Sequence, residues 1–285
     1  MILNQLINLF KLRIGFIMML TAMVAMAAVP GVDSTLIEIT TLAFCVLLAS
    51  ASAGAFNQYY ESDLDAHMKR TRNRPFVTGK LQKGPFWIFI ILALLTIGVG
   101  LAAYVLNAAS AAYIFLGAFF YAIVYTVWLK RRTWMNIVIG GASGSFAVLA
   151  GAAAVDPNLG PIPIQLALVL FFWTPSHFWS LAIAVHKDYS AAGIPMLPAV
   201  VGNKKAAQIV LINTLVLVAA SILPFFYGMH WIYLIGALSG GIYFIYRNIL
   251  MINDPSRTNS MKAFFASLIQ LSLLLIGIVL DVSLI

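Results

Sequence analysis

The sequence predicts an all-α fold, a polytopic membrane protein of nine transmembrane helices, on three observations. Hydrophobic residues make up 62% of the 285 positions and charged residues only 9%, where a soluble domain carries about 25% charged residues. The apolar residues fall into nine runs, each near the roughly 20 residues that a spanning helix needs. The Lys and Arg residues fall only between alternate runs, which is the sidedness of a membrane protein. A soluble domain of ordinary size has no room beside them, and residues 1–285 read as a single membrane-embedded unit.

Windows of about 19 residues place the runs at 14–32, 36–60, 86–106, 109–129, 135–155, 162–185, 206–228, 230–250 and 263–281. The first follows Lys11 and Arg13 and carries Ala25-Met26-Ala27, features of a cleaved leader, yet the charge pattern of the whole chain favours a retained span. Lys69, Arg70, Arg72, Arg74, Lys80 and Lys83 separate runs two and three, and Lys130, Arg131 and Arg132 separate four and five. Lys187, Lys204 and Lys205 follow run six, and Arg247, Arg257 and Lys262 lie between eight and nine. The other connections, around Asp33, Asn107, Asp156 and His230, carry no basic residue. The positive-inside rule therefore puts the N-terminus and the four basic loops in the cytoplasm and the C-terminus outside, as expected of an integral protein of a bacterial-type inner membrane. The net charge of +8 is accounted for by this topology and by anionic lipid headgroups, so nucleic acid is not an expected partner. The one cysteine, Cys45, sits in an apolar run and reads as a packing residue.

The richest polar segment is Asn57-Gln-Tyr-Tyr-Glu61-Ser-Asp63-Leu-Asp65-Ala-His-Met-Lys69-Arg70-Thr-Arg72-Asn-Arg74-Pro75. On a continuing helix Asn57, Glu61 and Asp65 stand at i, i+4 and i+8, one oxygen-bearing stripe at the cytoplasmic end. Like charges at that spacing repel, and acids at a helix C-terminus oppose the macrodipole. A divalent cation resolves both conflicts. Mg²⁺ suits hard oxygen ligands completed by substrate phosphate, and Lys69, Arg70, Arg72 and Arg74 supply donors for those phosphates. A solvated loop would not begin its acids inside an apolar helix.

The second segment is Trp173-Thr-Pro175-Ser-His177-Phe-Trp179, followed by His186-Lys187-Asp188-Tyr189 and Gly193-Ile-Pro195-Met-Leu-Pro198. Pro175 has no N–H for the carbonyl of Phe171, which predicts a kink with a free acceptor close to His177. An imidazole there serves as an axial iron ligand, a hydrogen-bond donor or a general base, while a histidine satisfied by a neighbouring helix is the plainer alternative. Spacing leaves open whether Lys187-Asp188 is a surface ion pair or whether Asp188 joins Glu61 and Asp65 on the metal. Phe56, Tyr59, Tyr60, Tyr121, Tyr125, Trp173, Phe178 and Trp179 are of the types that line an allylic chain or stabilise a carbocation, and equally of the types that form interface belts.

Asn57-x3-Glu61-x3-Asp65 with Arg70-Thr71-x2-Arg74-Pro75 resembles the first acidic motif of the UbiA-type intramembrane prenyltransferases. Thr174 to Trp179, Lys187-Asp188-Tyr189 and Ala192 to Pro198 resemble the branch of that family that farnesylates protohaem. The likeness implies helices around a central cavity open to the cytoplasm, with farnesyl diphosphate bound through Mg²⁺ and haem b as the acceptor substrate. It implies metal ligation by Glu61, Asp65 and Asp188, with Asp63 a further candidate. Asn57, Lys69, Arg70, Arg74 and Lys187 would hold the diphosphate and His177, Trp173 and Trp179 the acceptor, Asp65, Glu61, Asp188 and His177 being the catalytic set. A haem-modifying enzyme or terminal oxidase would receive the product. Several positions depart from the family pattern: Glu61 replaces an Asp, Leu12, Trp134 and Ser176 replace prolines, and Ala147-Val148 replaces a proline pair. Glu61 keeps the charge on an arm one methylene longer. A related enzyme with another aromatic or hydrophobic acceptor is the alternative. A transporter fits less well, because apart from His177 no ionisable residue falls mid-span.

Overall fold

In lipid no water completes a backbone hydrogen bond, so each apolar run has to close its own; the computed structural model accordingly places a helix in every predicted run. It describes residues 2–31 and 33–284. Val32, the last residue of the first predicted run, lies outside the described residues. The helices are α1 (Ile2–Leu9), α2 (Leu12–Ala27), α3 (Leu36–Tyr60), α4 (Ser62–Ala66), α5 (Pro85–Val105), α6 (Ala108–Phe119), α7 (Asn136–Gly140), α8 (Ala142–Ala153) and α9 (Pro161–Ala184). There follow α10 (His186–Ala191), α11 (Leu197–Val201), α12 (Asn203–Ala220), α13 (Trp231–Asn253) and α14 (Arg257–Leu284). Among the described residues eight helical segments are long and apolar enough to cross a membrane. The predicted first span is the shorter α2, 16 residues, or about 24 Å at 1.5 Å per residue.

Two terminations can be read from side chains. Thr35 and Glu38 close a capping box at the start of α3, each satisfying the other's backbone N–H, so the acid on the non-basic face has a local task. Asp281 accepts from the backbone N–H groups of His230 and Tyr233 at 2.8 and 3.1 Å and so caps α13 from the neighbouring helix α14.

The spans pack in near-sequential order: α3 against α5 and α6, α6 against α8, α8 against α9, and α12 and α14 back onto α9 with α13 between them, while α2 lies against α3 and α8. Small residues permit the closest approaches. A Cβ on Gly151 would stand 1.9 Å from the carbonyl oxygen of Ala22, so α2 and α8 touch backbone to backbone only because that residue is glycine. Cys45 is fully buried in the cluster with Ala22, Leu42 and Ile114, as a packing residue should be.

Candidate active site

A cavity of about 610 Å³ opens among α2, α3, α6, α8 and α9. One end is polar, with Lys11, Asn57, Asp65, Arg70, Asn73, Arg74 and Lys130 in its wall, and the remainder is lined by apolar and aromatic side chains that include Tyr121, Tyr125, Trp173, His177 and Phe178.

The polar end is built on the α3–α4 junction. Tyr60 ends α3 and Ser62 begins α4, with Glu61 between them at φ −93°, ψ 14°. The i→i−4 bonds nonetheless run through, Glu61 N–H to Asn57 and Asp65 N–H to Glu61, both 2.9 Å, so the expected stripe survives the break. Asn57 is 2% exposed, Glu61 0% and Asp65 1%.

Two buried carboxylates cannot stand alone in an apolar wall. The Nζ of Lys130 donates to Glu61 Oε2 at 2.5 Å, and Arg74 donates to Asp65 Oδ2 at 2.6 Å. Their second oxygens, Glu61 Oε1 and Asp65 Oδ1, are buried without a hydrogen-bond partner. The loop after α4 is tied to the same place, since Thr71 donates to the backbone carbonyl of Asp65 at 3.0 Å.

Lys11 and Lys130 reach this end by unusual backbone. Lys11 sits between α1 and α2 with φ 48° and ψ 39°, a left-handed conformation that L side chains rarely adopt. The bend brings its ammonium to Asn57 Oδ1 at 2.5 Å and the Tyr121 hydroxyl at 2.7 Å. Burial pushes this ammonium well below its ordinary pKa, Arg74 and Lys130 push the same way, and Glu61 and Asp65 oppose them; an anionic ligand would restore its charge. On the other wall α6 widens into a π-helix over Phe120–Leu129. The Lys130 N–H bonds to the carbonyl of Tyr125, five residues back. That wider turn stacks Tyr121, Tyr125 and Lys130 on one stripe facing the cavity, a local distortion common at functional sites.

At the aromatic end α9 continues through Pro175. Asn213 of α12 donates to the carbonyl of Phe172 at 2.6 Å and to the Ser176 hydroxyl at 2.7 Å, polar contacts next to the Phe171 carbonyl that the proline leaves without its helical donor. The His177 ring is stacked with Trp173 and faces a tilted Phe264, each with its centroid 4.3 Å away.

Not every expected residue converges. Glu61, Lys69, Asp63, Lys187, Asp188 and Trp179 are absent from the cavity lining, Glu61 being fully buried against Lys130. Asp63 turns outward: it is 59% exposed and takes Arg131 bidentately at 2.9 Å. Partial burial pushes its carboxyl up, but the bonds from Arg131 and nearby backbone outweigh this and hold it below the usual carboxylate value. Asp188 is half-buried on α10, while its neighbour Tyr189 lines the cavity. Among the described residues no three of His, Cys, Asp or Glu gather closely enough to hold a metal ion. Trp179 packs in a separate core with Ile183 and Met196.

Lys11, Lys130 and Tyr189 were not expected at the site. The two lysines looked like topology charges, and the only sequence signal for Lys130 is a basic residue following Tyr121 and Tyr125 at a spacing that only a π-helix brings to one face.

The architecture has solved counterparts. It superposes with a TM-score of 0.81 on a digeranylgeranylglyceryl phosphate synthase, at 18% identity over 98% of each chain. A UbiA homologue from Archaeoglobus fulgidus solved with DMAPP and Mg²⁺ gives 0.75, at 15% identity over 99% of this chain and all of that one. At such identities the likeness is one of fold. In sequence, the chain is 53% identical to a protoheme IX farnesyltransferase 2 of Paramagnetospirillum magneticum, over 98% of this chain and 97% of that protein. It is 36% identical to a protoheme IX farnesyltransferase 1 of Cenarchaeum symbiosum, over 98% and 95%. The family model for the UbiA prenyltransferases matches residues 18–269, from within α2 to within α14 and so most of the cavity wall apart from the stretch around Lys11, and the chain belongs to that family.

Proposed function

We propose that this protein transfers the farnesyl group of farnesyl diphosphate to a vinyl group of haem b and so makes haem O. The observation that carries the reading is the two-ended cavity: the buried Asp65 carboxylate among Lys11, Arg70, Arg74 and Lys130 at one end, with Glu61 buried against Lys130, and an aromatic-lined imidazole at the other. Relatives bearing the name of that activity, one of them 53% identical, support it.

The polar end suits a diphosphate. Lys11, Arg70, Arg74 and Lys130 offer donors in the wall, and Asn57 holds Lys11 in place. Lys69 and Lys187 lie outside the lining and serve, in this reading, as attracting charges at the mouth. The free oxygens of Glu61 and Asp65 fit a hard divalent cation, and Asp188 is the proposed third carboxylate, on the helix whose Tyr189 already reaches the cavity. Bound there, Mg²⁺ would neutralise the leaving diphosphate.

The chemistry then balances. The allylic C–O bond breaks and its electron pair leaves with the diphosphate. The vinyl terminal carbon gives its π electrons to the farnesyl cation, water adds at the inner vinyl carbon, and one proton is released. Tyr121 and Tyr125 line the cavity beside Lys11 and Lys130, where aromatic faces would stabilise allylic positive charge next to the diphosphate. Trp173 and His177 belong to the acceptor, whereas Trp179 packs on Trp134 in the separate core.

In the same reading the basic ends of the spans face the cytoplasm, residues 1–285 act as one catalytic unit, and a downstream haem-modifying enzyme or terminal oxidase takes the product. Purified protein in liposomes, given haem b, farnesyl diphosphate and Mg²⁺, should yield haem O by mass spectrometry and lose that yield in EDTA. Undiminished turnover under thorough chelation would remove the metal from the reading.

A further inference from the structure

The aromatic end contains a hydrogen-bond chain whose protons can be counted. The Ser267 hydroxyl lies 2.6 Å from the backbone carbonyl of Phe264, and His177 Nδ1 lies 2.7 Å from the same hydroxyl oxygen. Each contact is short enough to require a hydrogen between the heavy atoms. A carbonyl has none to give, so the single hydroxyl hydrogen of Ser267 goes to Phe264. The second hydrogen therefore comes from His177, which donates from Nδ1 to Ser267. With aromatic rings on both faces of the imidazole and Phe178 at 5.1 Å edge-on, no carboxylate faces it from α9 or α14, and the neutral ring is the form this pocket accommodates. In a neutral ring with Nδ1 protonated, Nε2 carries a lone pair. Among the described residues Nε2 has no hydrogen-bond partner, and the 8% of His177 that stays exposed belongs to a residue lining the cavity.

The ring is held as well as its proton. The Ser267 backbone carbonyl accepts from Trp173 Nε1 at 2.9 Å, and Trp173 stacks on His177 with only 16° between the planes. One residue of α14 thus orients the imidazole through its hydroxyl and the covering indole through its carbonyl.

We propose that Ser267 is a positioning residue that keeps His177 as the Nδ1–H tautomer, so that Nε2 faces the cavity as an axial ligand for the iron of the haem substrate. The inference rests on the haem reading above, and it narrows the tasks open to an intramembrane histidine: a ligand or a general base presents a lone pair, a hydrogen-bond donor does not, and a haem titration separates the first two. An outer partner of this kind is worth about 10- to 100-fold in the affinity of the group its histidine holds.

The test has a part without haem and a part with it. In ¹⁵N-histidine-labelled protein in nanodiscs, the His177 signal, identified among the four histidines by its loss in His177→Ala, should report Nδ1 protonated and Nε2 bare. Ser267→Ala should give a mixture of tautomers and Ser267→Thr should restore the single one. Titrated with ferric haem b, wild type and Ser267→Thr should show the absorption of a histidine-ligated iron. Ser267→Ala should bind at least about tenfold more weakly, and His177→Ala should lose that signature. An Nε2–H signal in the wild type, or an unchanged tautomer in Ser267→Ala, would overturn the proposal. If the tautomer behaves as stated but His177→Ala leaves the haem spectrum unchanged, the iron ligand lies elsewhere and the ligation is overturned. Absence of any haem binding by the wild type would instead count against the haem reading itself.

Discussion

The two ends of the cavity solve opposite problems. At the polar end, charge is buried and then compensated across long stretches of chain: Lys130 finds Glu61 from 69 residues away and Lys11 finds Asn57 from 46. At the aromatic end almost nothing is charged, and orientation comes from stacking and from one serine on α14. The polar end has to hold a highly charged leaving group and keep carboxylate oxygens free. The other has to hold a flat apolar substrate and point one nitrogen at it. Chemistry that takes a prenyl group from a water-loving diphosphate and joins it to a membrane-soluble acceptor needs both in one enclosure, and the difference between them can be tested by damaging one at a time.

The largest expected effect is at Asp65. Asp65→Asn removes the oxygen proposed for the metal and leaves Arg74 without its ion pair; turnover should fall at least about tenfold, or about 1.4 kcal/mol of transition-state stabilisation. Steady-state kinetics should show this with haem affinity intact, and wild-type rates in that variant would detach the first motif from the reaction. His177→Ala is the complementary break. It should weaken haem binding or stop transfer while calorimetric affinity for farnesyl diphosphate stays within about twofold, and the reverse pattern would mean the ends are assigned backwards.

A third comparison separates stability from catalysis. Lys130→Met leaves Glu61 buried without a cation, and breaking a buried pair on one side costs about 3–5 kcal/mol. The double variant Lys130→Met, Glu61→Gln should recover much of the lost thermal stability without recovering activity, since the cavity has lost a phosphate donor. Full recovery of activity would make the pair purely structural.

The smallest effect is expected outside the cavity. Asp63→Asn loosens an exposed pair with Arg131, worth at most about 1 kcal/mol, and should change turnover less than twofold. The Asp63 carboxyl is held below its usual value, so any stability from this pair is present above the ordinary carboxylate pKa and fades as pH falls through the lowered one. Asp63→Asn should flatten that acid limb of the melting profile; an unaltered limb would mean that other carboxylates set it.

How much of this was legible in the chain depends on the distance over which the physics acts. The spans were readable because lipid leaves a helix no alternative, and the Asn57, Glu61, Asp65 stripe because four-residue spacing is local. The stripe even survives a break in helix geometry at Glu61, which periodicity did not anticipate. Pairing across the bundle was not readable. Nothing next to Lys130 or Lys11 distinguishes it from a charge that sets topology, and the π-helix that turns Lys130 inward has no composition of its own. The same limit explains Trp179, placed at the acceptor by its nearness in sequence to His177 although two residues along a helix face different neighbours. Ser267 lies 90 residues from the histidine it touches, and no spacing rule reaches that far.

The central claim, one cavity with a diphosphate end and a haem end, is tested most directly by the product. Purified protein in liposomes is supplied with haem b, isotopically labelled farnesyl diphosphate and Mg²⁺, and the extracted porphyrins are analysed by mass spectrometry. The expected result is a haem heavier by one labelled farnesyl and one hydroxyl group, formed by the wild type and lost in both Asp65→Asn and His177→Ala. Recovery of haem b unaltered while label appears on another aromatic or hydrophobic acceptor would contradict the account.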